Sequence, residues 1–474
     1  MKKTKIVCTI GPASENKIVL EKMARAGMNV ARLNFSHGTY DNHRLLIKNI
    51  RDMAKKVGTP IAIMQDLQGP RIRVGDVHKD GIDILRGEKV VLVPEKLINY
   101  KLLVTGDDKI IPIGYQDLHK YVKVGGHVLI SDGLIDIKVN KVKDGFIHGK
   151  VIKPGIILSH KGINLPGTLI EAEVITAKDK KDLIFGLSQG IDFVALSFVK
   201  DAANVIALRK LLGNKDVQII SKIERKEALN NFDEILEVTD GVMVARGDLG
   251  IEIPPADVPL AQKDMIQRCM LVGKPVIVAT QMLESMMLNP RPTRAEVSDV
   301  ANAVIDHTDA VMLSGESAYG KYPVESVQMM ADVIKKTEAS RFDDLPGHYL
   351  KITHPNIQDS ISIVAYDLAL QEDVKAIVVN SLSGRAARMV VRHRPETTIA
   401  VLTNNQRTQN KLALSWGIQA LLLPKCKTLD ELIRKSVTLM KNSKLVKAGD
   451  NIVLVSGHPV GTSEGVNMVK LHSI

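Results

Sequence analysis

The stretch QIISKIERKEALNNFDEILEVTDGVMVARGD, residues 218–248, decides how this chain is read. It opens on an apolar run, Gln218–Ile223, and closes on another, Gly241–Ala245. Both are near-continuous rather than alternating, as strands covered on both faces of a parallel sheet should be. Between them Lys226–Glu237 reads as a helix. Each run ends in polar groups: Lys222 and Glu224 at the first, Arg246, Gly247 and Asp248 at the second.

The same rhythm recurs on both sides. Runs at Lys5–Ile10, Asn29–Leu33, Ile61–Gln65, Asp192–Ser197, Pro275–Thr280 and Ala310–Leu313 bring the strands to eight. Helical patterns occupy Glu15–Ala26, Lys178–Ser188, Asn204–Leu212, Leu260–Leu271, Arg294–Ile305 and Val324–Lys336. Thr176 before Lys178-Asp179 and Thr293 before Ala295-Glu296 are helix start signals. Gly27, Gly190, Gly213 and Gly273 stand where C-terminal caps are expected. Eight alternations point to an α/β chain built on a (β/α)8 TIM barrel, with a doubly wound open sheet as the weaker alternative.

One interruption breaks the rhythm. From about Pro70 to Gly167 the chain shows short strands and turns instead: Val90–Val93 stopped by Pro94, then Lys123–Val128, Ser131-Asp132-Gly133 and Asp144-Gly145. This is expected to be a small β-barrel domain, 70–167, inserted after the third strand on the face where barrel chemistry occurs, and placed to act as a lid. The catalytic barrel is then 1–69 with 168–342. Beyond it, a helix at Ile357–Leu370 and strands at Ala376–Val379, Thr398–Leu402, Ala420–Leu423 and Ile452–Val455 predict a separate α/β domain over 343–474.

Composition narrows the function classes. The 474 residues are 45% apolar and 25% charged, ordinary globular values that exclude disorder and a disulfide scaffold. Cys8, Cys269 and Cys426 are scattered, which suits a reducing, cytoplasmic setting. No apolar run is long enough to cross a membrane, and Gly11-Pro12 interrupts the short N-terminal one, so neither a membrane span nor a signal peptide is expected. The net charge of +11 invites an anionic ligand, but aromatics at 3% leave little for base stacking. Small phosphorylated molecules, rather than nucleic acid, are the expected partners.

Barrel sites draw on the carboxyl ends of several strands. Here those ends carry Arg32, Asn34, Ser36 and His37; Asp66; Lys222 and Glu224; Arg246, Gly247 and Asp248; Thr280 and Gln281; and Ser314, Gly315 and Glu316. Singly, each has a plain structural reading: Asp248 as a helix cap, Thr280 as a turn residue, Lys222 as a surface charge. Six strand ends in register argue for a site. Glu224 and Asp248 can hold one Mg²⁺ (or Mn²⁺). Lys222 lies two residues before Glu224, on the same side of an extended strand, and a cation beside a metal suits a migrating phosphoryl group. Arg32 and Arg73 offer planar donors for phosphate. The backbone of Arg246–Gly250 is expected to present N–H groups to a carboxylate. Neither a Walker loop nor a kinase glycine-rich loop occurs.

These residues sit in eight segments: TKIVCTIGPAS (4–14), ARLNFSHG (31–38), DLQGPRIR (66–73), KGINLPG (161–167), SKIE (221–224), ARGDLGIEIP (245–254), ATQMLESM (279–286) and LSGESAYGKYP (313–323). In that order they resemble the pyruvate kinases. The resemblance implies a barrel, an inserted β-barrel lid, a regulatory C-terminal domain and a homotetramer. It implies phosphoryl transfer from phosphoenolpyruvate to ADP, giving pyruvate and ATP as the last step of glycolysis. Lys222 would stabilise the transferring group, Glu224 and Asp248 would bind the metal, and Gly247, Asp248 and Thr280 the substrate carboxylate. Thr280 would lie on the proton's route to the enolate. Arg32 and Arg73 would face the phosphates, with Asn34, His37 and Lys161 on the nucleotide side.

One position departs from the family pattern. Members that need K⁺ hold it with groups like Asn34, Ser36, Asp66 and the carbonyl of residue 67, and they carry Glu where this chain has Arg71 and Thr-Lys where it has Leu67-Gln68. A fixed side-chain cation can replace a bound one. Arg71 is therefore expected to substitute for K⁺ and make activity K⁺-independent. In the C-terminal domain, Ser381, Ser383, Gly384 and Arg385 between a strand and a helix, with Gly457–Gly461 on the same side, suggest an anion pocket, and the resemblance implies that it takes a phosphorylated allosteric effector. The rival enzyme reading is a Mg²⁺-dependent pyruvate-enolate lyase or aldolase. It leaves Lys161 on the lid and the C-terminal domain unexplained.

Overall fold

The computed structural model describes residues 2–97, 108–131, 133–168, 173–345, 349–350, 352, 355–371, 373–461 and 465–474. Asp132, read above as part of a turn, lies outside them. Eight parallel strands close a barrel: Lys5–Ile10, Val30–Asn34, Ala62–Asp66, Phe193–Leu196, Gln218–Ile223, Gly241–Ala245, Val276–Ala279 and Ala310–Leu313. The first pairs with the last, Lys5 opposite Ala310. Each strand is buried on both faces, which is why its sequence shows no alternation. Val7, Val30, Met64, Phe193, Ile220 and Met243 are among the side chains filling the interior. Ile6, Cys8, Ile63, Val194, Ile219 and Val242 face outward against the helices.

The helices start as their sequences ask. At Thr176 and Thr293 the hydroxyl accepts the N–H of the third helical residue, and that residue, Asp179 or Glu296, accepts the threonine's own N–H. Each reciprocal pair satisfies two donors that a helix end leaves orphaned. The expected helix 226–237 is divided into Lys226–Asn230 and Phe232–Val238. Asn231, at φ −101° and ψ 20°, breaks the turn, and its side chain donates to the Lys200 carbonyl at 3.0 Å. A helix at Tyr40–Val57 was not anticipated. It buries Leu46, Ile47, Ile50 and Met53, while its basic face stays in solvent.

Between the third and fourth barrel strands lies a six-stranded sheet with its own core, which includes Val90, Leu92, Ile137, Val151 and Ile163. A two-stranded ribbon, Ile82–Ile84 with Gly155–Ile157, accompanies it. The C-terminal sheet has the order Ile418–Leu422, Thr398–Thr403, Val374–Asn380, Asn451–Ser456, Met468–Ser473. Its last strand is antiparallel and was not expected. This domain closes the barrel's N-terminal end: Ala413 and Leu414 join the interior cluster, and Lys5 Nζ donates to the Ile418 carbonyl at 2.9 Å. Among the described residues no helix is long and apolar enough to cross a membrane.

At this junction Asp343 is buried beside His307, with Nδ1 and Oδ1 3.7 Å apart and neither atom hydrogen-bonded. Burial, with Glu338 and Glu396 adding to it, pushes the Asp343 carboxyl up from 3.8 to about 7. The folded chain thus keeps a proton that the unfolded chain gives up. This group's contribution to stability is complete below pH 3.8 and is lost as pH rises through about 7. Asp343→Asn is expected to remove that loss. Its unfolding midpoint relative to the parent should rise between pH 4.5 and 8, and a difference flat across that range would refute the assignment.

Candidate active site

The carboxyl ends of the strands bring one group of charged side chains together. Lys222 Nζ lies 2.7 Å from Glu224 Oε1 and 3.5 Å from Asp66 Oδ1. Arg32 holds the other Asp66 oxygen, through Nε at 2.7 Å and Nη2 at 2.5 Å, and its Nη1 donates to Thr9 Oγ1 at 2.8 Å. The register explains the meeting: Asn34 stands opposite Asp66, and Asp66 opposite Ala195, so the Arg32, Asp66 and Ser197 ends are neighbours.

The charges tune one another. Burial acts to push the Asp66 carboxyl up, but Lys222 and Arg32 outweigh it and hold it below its ordinary value. Burial opposes the Lys222 charge, yet Asp66 and Glu224, with a smaller push from Asp248, keep the amine above its usual range. Glu224 moves the other way. Burial raises it, Lys222 opposes, and the like charge of Asp248 adds to the rise. Glu224 and Asp248 also line a cavity of about 50 Å³ with Arg71 and Asn164 from the root of the inserted β domain and Arg225 and Glu252 from the rim.

The seventh strand ends in strain. Thr280 and Gln281 have φ of +69° and +55°, a costly region for a β-branched residue. Three contacts pin Thr280. Its Oγ1 accepts the Gly247 N–H at 2.8 Å and donates to the Ala279 carbonyl at 2.6 Å, and its own carbonyl accepts from Arg246 Nη2 at 2.7 Å. Asp299 in turn pairs with Arg246 at 2.7 Å. Residues 246–250, expected to present backbone N–H groups, begin the short helix Arg246–Glu252, and the Gly247 N–H is engaged by Thr280.

The remaining expected residues fall into three places. His37 is exposed at the rim, and its imidazole is held below its ordinary value by partial burial and by Arg73, Arg71 and Arg32. Arg73 lies at the root of the inserted β domain, where its backbone bridges to Gly162 and Nη1 reaches the His160 carbonyl at 3.3 Å. Lys161 is exposed beside it. The Asn34 side chain accepts the Ser36 N–H at 3.1 Å. Arg71 packs against Gly162 so closely that a Cβ there would fall 2.9 Å from its Nη2. Ser381, Ser383 and Arg385 lie in the C-terminal domain, on the loop after strand Val374–Asn380 and at the start of helix Arg385–Val391, lining a cavity of about 480 Å³ with Thr403 and Lys425, and Gly384 at φ +81° turns the chain beside them. Glu252, Arg225 and Ser197 went unread in the sequence. Burial pushes the Glu252 carboxyl up to about 7, and Arg225 Nη2 donates to the Thr168 carbonyl at 3.1 Å, tying the chain's return from the inserted β domain to the rim.

Fold and rim together define a barrel enzyme whose polar centre lies at the carboxyl ends of its strands, beside an inserted β domain. Residues 1–327 match the family model for the pyruvate kinase barrel domain, and 359–472 that for the pyruvate kinase alpha/beta domain. The chain is 46% identical to a pyruvate kinase of Geobacillus stearothermophilus, over 100% of this chain and 80% of that protein. It is 42% identical to one of Sporosarcina psychrophila, over 100% and 81%. Among solved structures, a pyruvate kinase from Cryptosporidium parvum superposes with a TM-score of 0.90 at 36% identity, covering 100% of this chain and 96% of that one. The chain belongs to the pyruvate kinase family and is a phosphotransferase.

Proposed function

We propose that this chain transfers the phosphoryl group of phosphoenolpyruvate to ADP, releasing pyruvate and ATP. The observation that carries the reading is the single charge cluster of Lys222, Glu224, Asp248, Asp66 and Arg32 at the barrel rim. Glu224 and Asp248 fit a divalent cation: they are hard oxygen donors, the like charge of Asp248 burdens Glu224, and Glu224 Oε1 is buried without a hydrogen bond of good geometry. Among the described residues no group of three or more acidic, His or Cys side chains is placed to hold a metal, which leaves coordination places for substrate and water. Mg²⁺ or Mn²⁺ there would add positive charge beside the substrate's oxygens.

The chain's own groups do the rest. Lys222 faces the transferring group and the enolate oxygen left behind. Arg32 and Arg73 hold phosphate oxygens. Gly247, Asp248 and Thr280 hold the substrate's carboxylate end, and the Thr280 hydroxyl lies on the proton's route to the enolate carbon. Asn34, His37 and Lys161 take the nucleotide side. An assay coupled to pyruvate release tests the reading. Pyruvate release that does not depend on ADP would mean that the phosphoryl group goes elsewhere, and would overturn it.

The finer assignments are 1–69 with 168–342 as catalytic barrel, 70–167 as lid and 343–474 as regulatory domain, in a cytoplasmic homotetramer. The cavity of about 480 Å³, with Ser381, Ser383, Arg385 and Lys425 on its wall, suits a phosphorylated effector. Independence from K⁺ is supported by two features. Asp66, the carboxylate that would draw a monovalent ion, already has Arg32 and Lys222 as partners, and Arg71 adds a fixed charge nearby. Turnover in K⁺ and in a bulky ammonium salt should agree within about twofold, whereas Arg71→Glu should need K⁺. Strong activation of the parent by K⁺ would reject this.

A further inference from the structure

We infer that Ser197 is a positioning residue that aims the Lys222 ammonium at the transferring phosphoryl group. The inference rests on the phosphotransfer reading above and concerns a side chain that reading does not use. Ser197 follows the fourth barrel strand, Phe193–Leu196, and is 2% exposed. Leu196 stands opposite Ser221, so the next step up the barrel sets Ser197 beside Lys222.

The hydrogen bonds have a direction. A serine hydroxyl has one proton to give. Ser197 Oγ lies 2.8 Å from the Leu67 carbonyl and 3.4 Å from Asp66 Oδ1, so the proton goes to Leu67. Its lone pairs are then turned toward Lys222, whose Nζ donates to Oγ at 2.8 Å. Asp66 and Glu224 hold the ammonium by charge, which attracts without fixing where its three N–H bonds point. The hydroxyl supplies that direction. Being neutral, it keeps its hold whatever cation the carboxylates attract or phosphate the ammonium attracts.

The same turn serves the neighbouring carboxylate. Phe198, at φ +57°, donates its backbone N–H to Glu224 Oε2 at 2.7 Å. The end of the fourth strand thus presents a hydroxyl to Lys222 and an N–H to Glu224. A strained φ on a bulky residue is what lets two consecutive residues face the two groups.

The test uses the full-length enzyme with phosphoenolpyruvate, ADP and saturating Mg²⁺. Ser197→Ala is expected to lower kcat roughly 10- to 100-fold, the scale of one hydrogen bond to a charged group, with the KM for phosphoenolpyruvate nearly unchanged. Ser197→Thr, which restores a hydroxyl, should recover most of the loss. In a Lys222→Met background the alanine change should cost nothing further, because the group it aims is gone. Normal turnover in Ser197→Ala beside a disabled Lys222→Met overturns the inference alone, and so does an equal loss in both backgrounds. Near-normal turnover in Lys222→Met overturns the phosphotransfer role of Lys222 and this inference with it. If the alanine variant does not fold, Ser197→Cys carries the same comparison, since its thiol is a weak donor and acceptor of similar size.

Discussion

Lys222→Met is expected to lower kcat by about 10²- to 10³-fold, roughly 3–4 kcal/mol of barrier, with a much smaller change in the KM for phosphoenolpyruvate. Methionine keeps the length and apolar stem of the side chain and removes the ammonium. Phosphoryl transfer depends chiefly on placed charge, since the protein forms no bond to the migrating group. A cation whose interaction grows as charge develops acts on kcat, and one that binds ground and transition states alike acts on KM. Lys222 is positioned for the first. It is nearly buried, its charge is reinforced by Asp66 and Glu224, and it stands beside the carboxylates that would hold the metal. Lys222→Arg should not rescue, because a planar fork cannot take the place of a compact ammonium between two carboxylates and the Ser197 hydroxyl. Steady-state turnover of purified Lys222→Met decides the matter, and a rate within threefold of the parent would refute the role.

Why the barrel could be read so far from sequence is visible in its strands. Lys5–Ile10, Gln218–Ile223, Gly241–Ala245 and Ala310–Leu313 have the bounds that their apolar runs suggest, because a strand buried on both faces has an unbroken signal that stops where burial stops. The edge strand Met468–Ser473 has no such signal. Its residues are half-buried or exposed, and only the backbone ladder to Asn451–Ser456 makes it a strand. The helix Tyr40–Val57 did carry an amphipathic stripe, but it lies on a long basic segment that a search for β-branched runs passes over. Charged site residues announced themselves at the strand ends. Ser197 did not, because a small hydroxyl after an apolar run is ordinary until its register beside Lys222 is known. The strain at Thr280 was hidden for a similar reason. It is set by Arg246 and Gly247, which reach it from the helix after the neighbouring strand.

Asp309→Ala is expected to loosen the junction of barrel and C-terminal domain by about 3–5 kcal/mol, the cost of removing one partner of a buried ion pair. Asp309 is 5% exposed and serves three donors. Its Oδ1 accepts the Trp416 N–H at 3.1 Å, and its Oδ2 accepts the Val276 N–H at 3.2 Å and pairs with Arg394 at 3.2 Å. Without the carboxylate, Arg394 would keep its bond to the His307 carbonyl at 2.8 Å and its place over the Trp416 ring, but its buried charge would be uncompensated. Lys3 and Glu396 offer a contrast in the same region. Glu396 is 60% exposed, and an ion pair in solvent contributes little, about 0–1 kcal/mol. The chain's one tryptophan is Trp416, buried at this junction, so its fluorescence reports on the contact itself. In urea the Trp416 transition of Asp309→Ala should move well below that of the parent, Asp309→Asn should fall between them because it keeps an acceptor, and Glu396→Ala should leave the midpoint near its parent value. A midpoint unmoved by Asp309→Ala would mean that the two domains are held by their apolar contacts, Ala413 and Leu414 at the mouth of the barrel, and that the buried pair contributes no net stability.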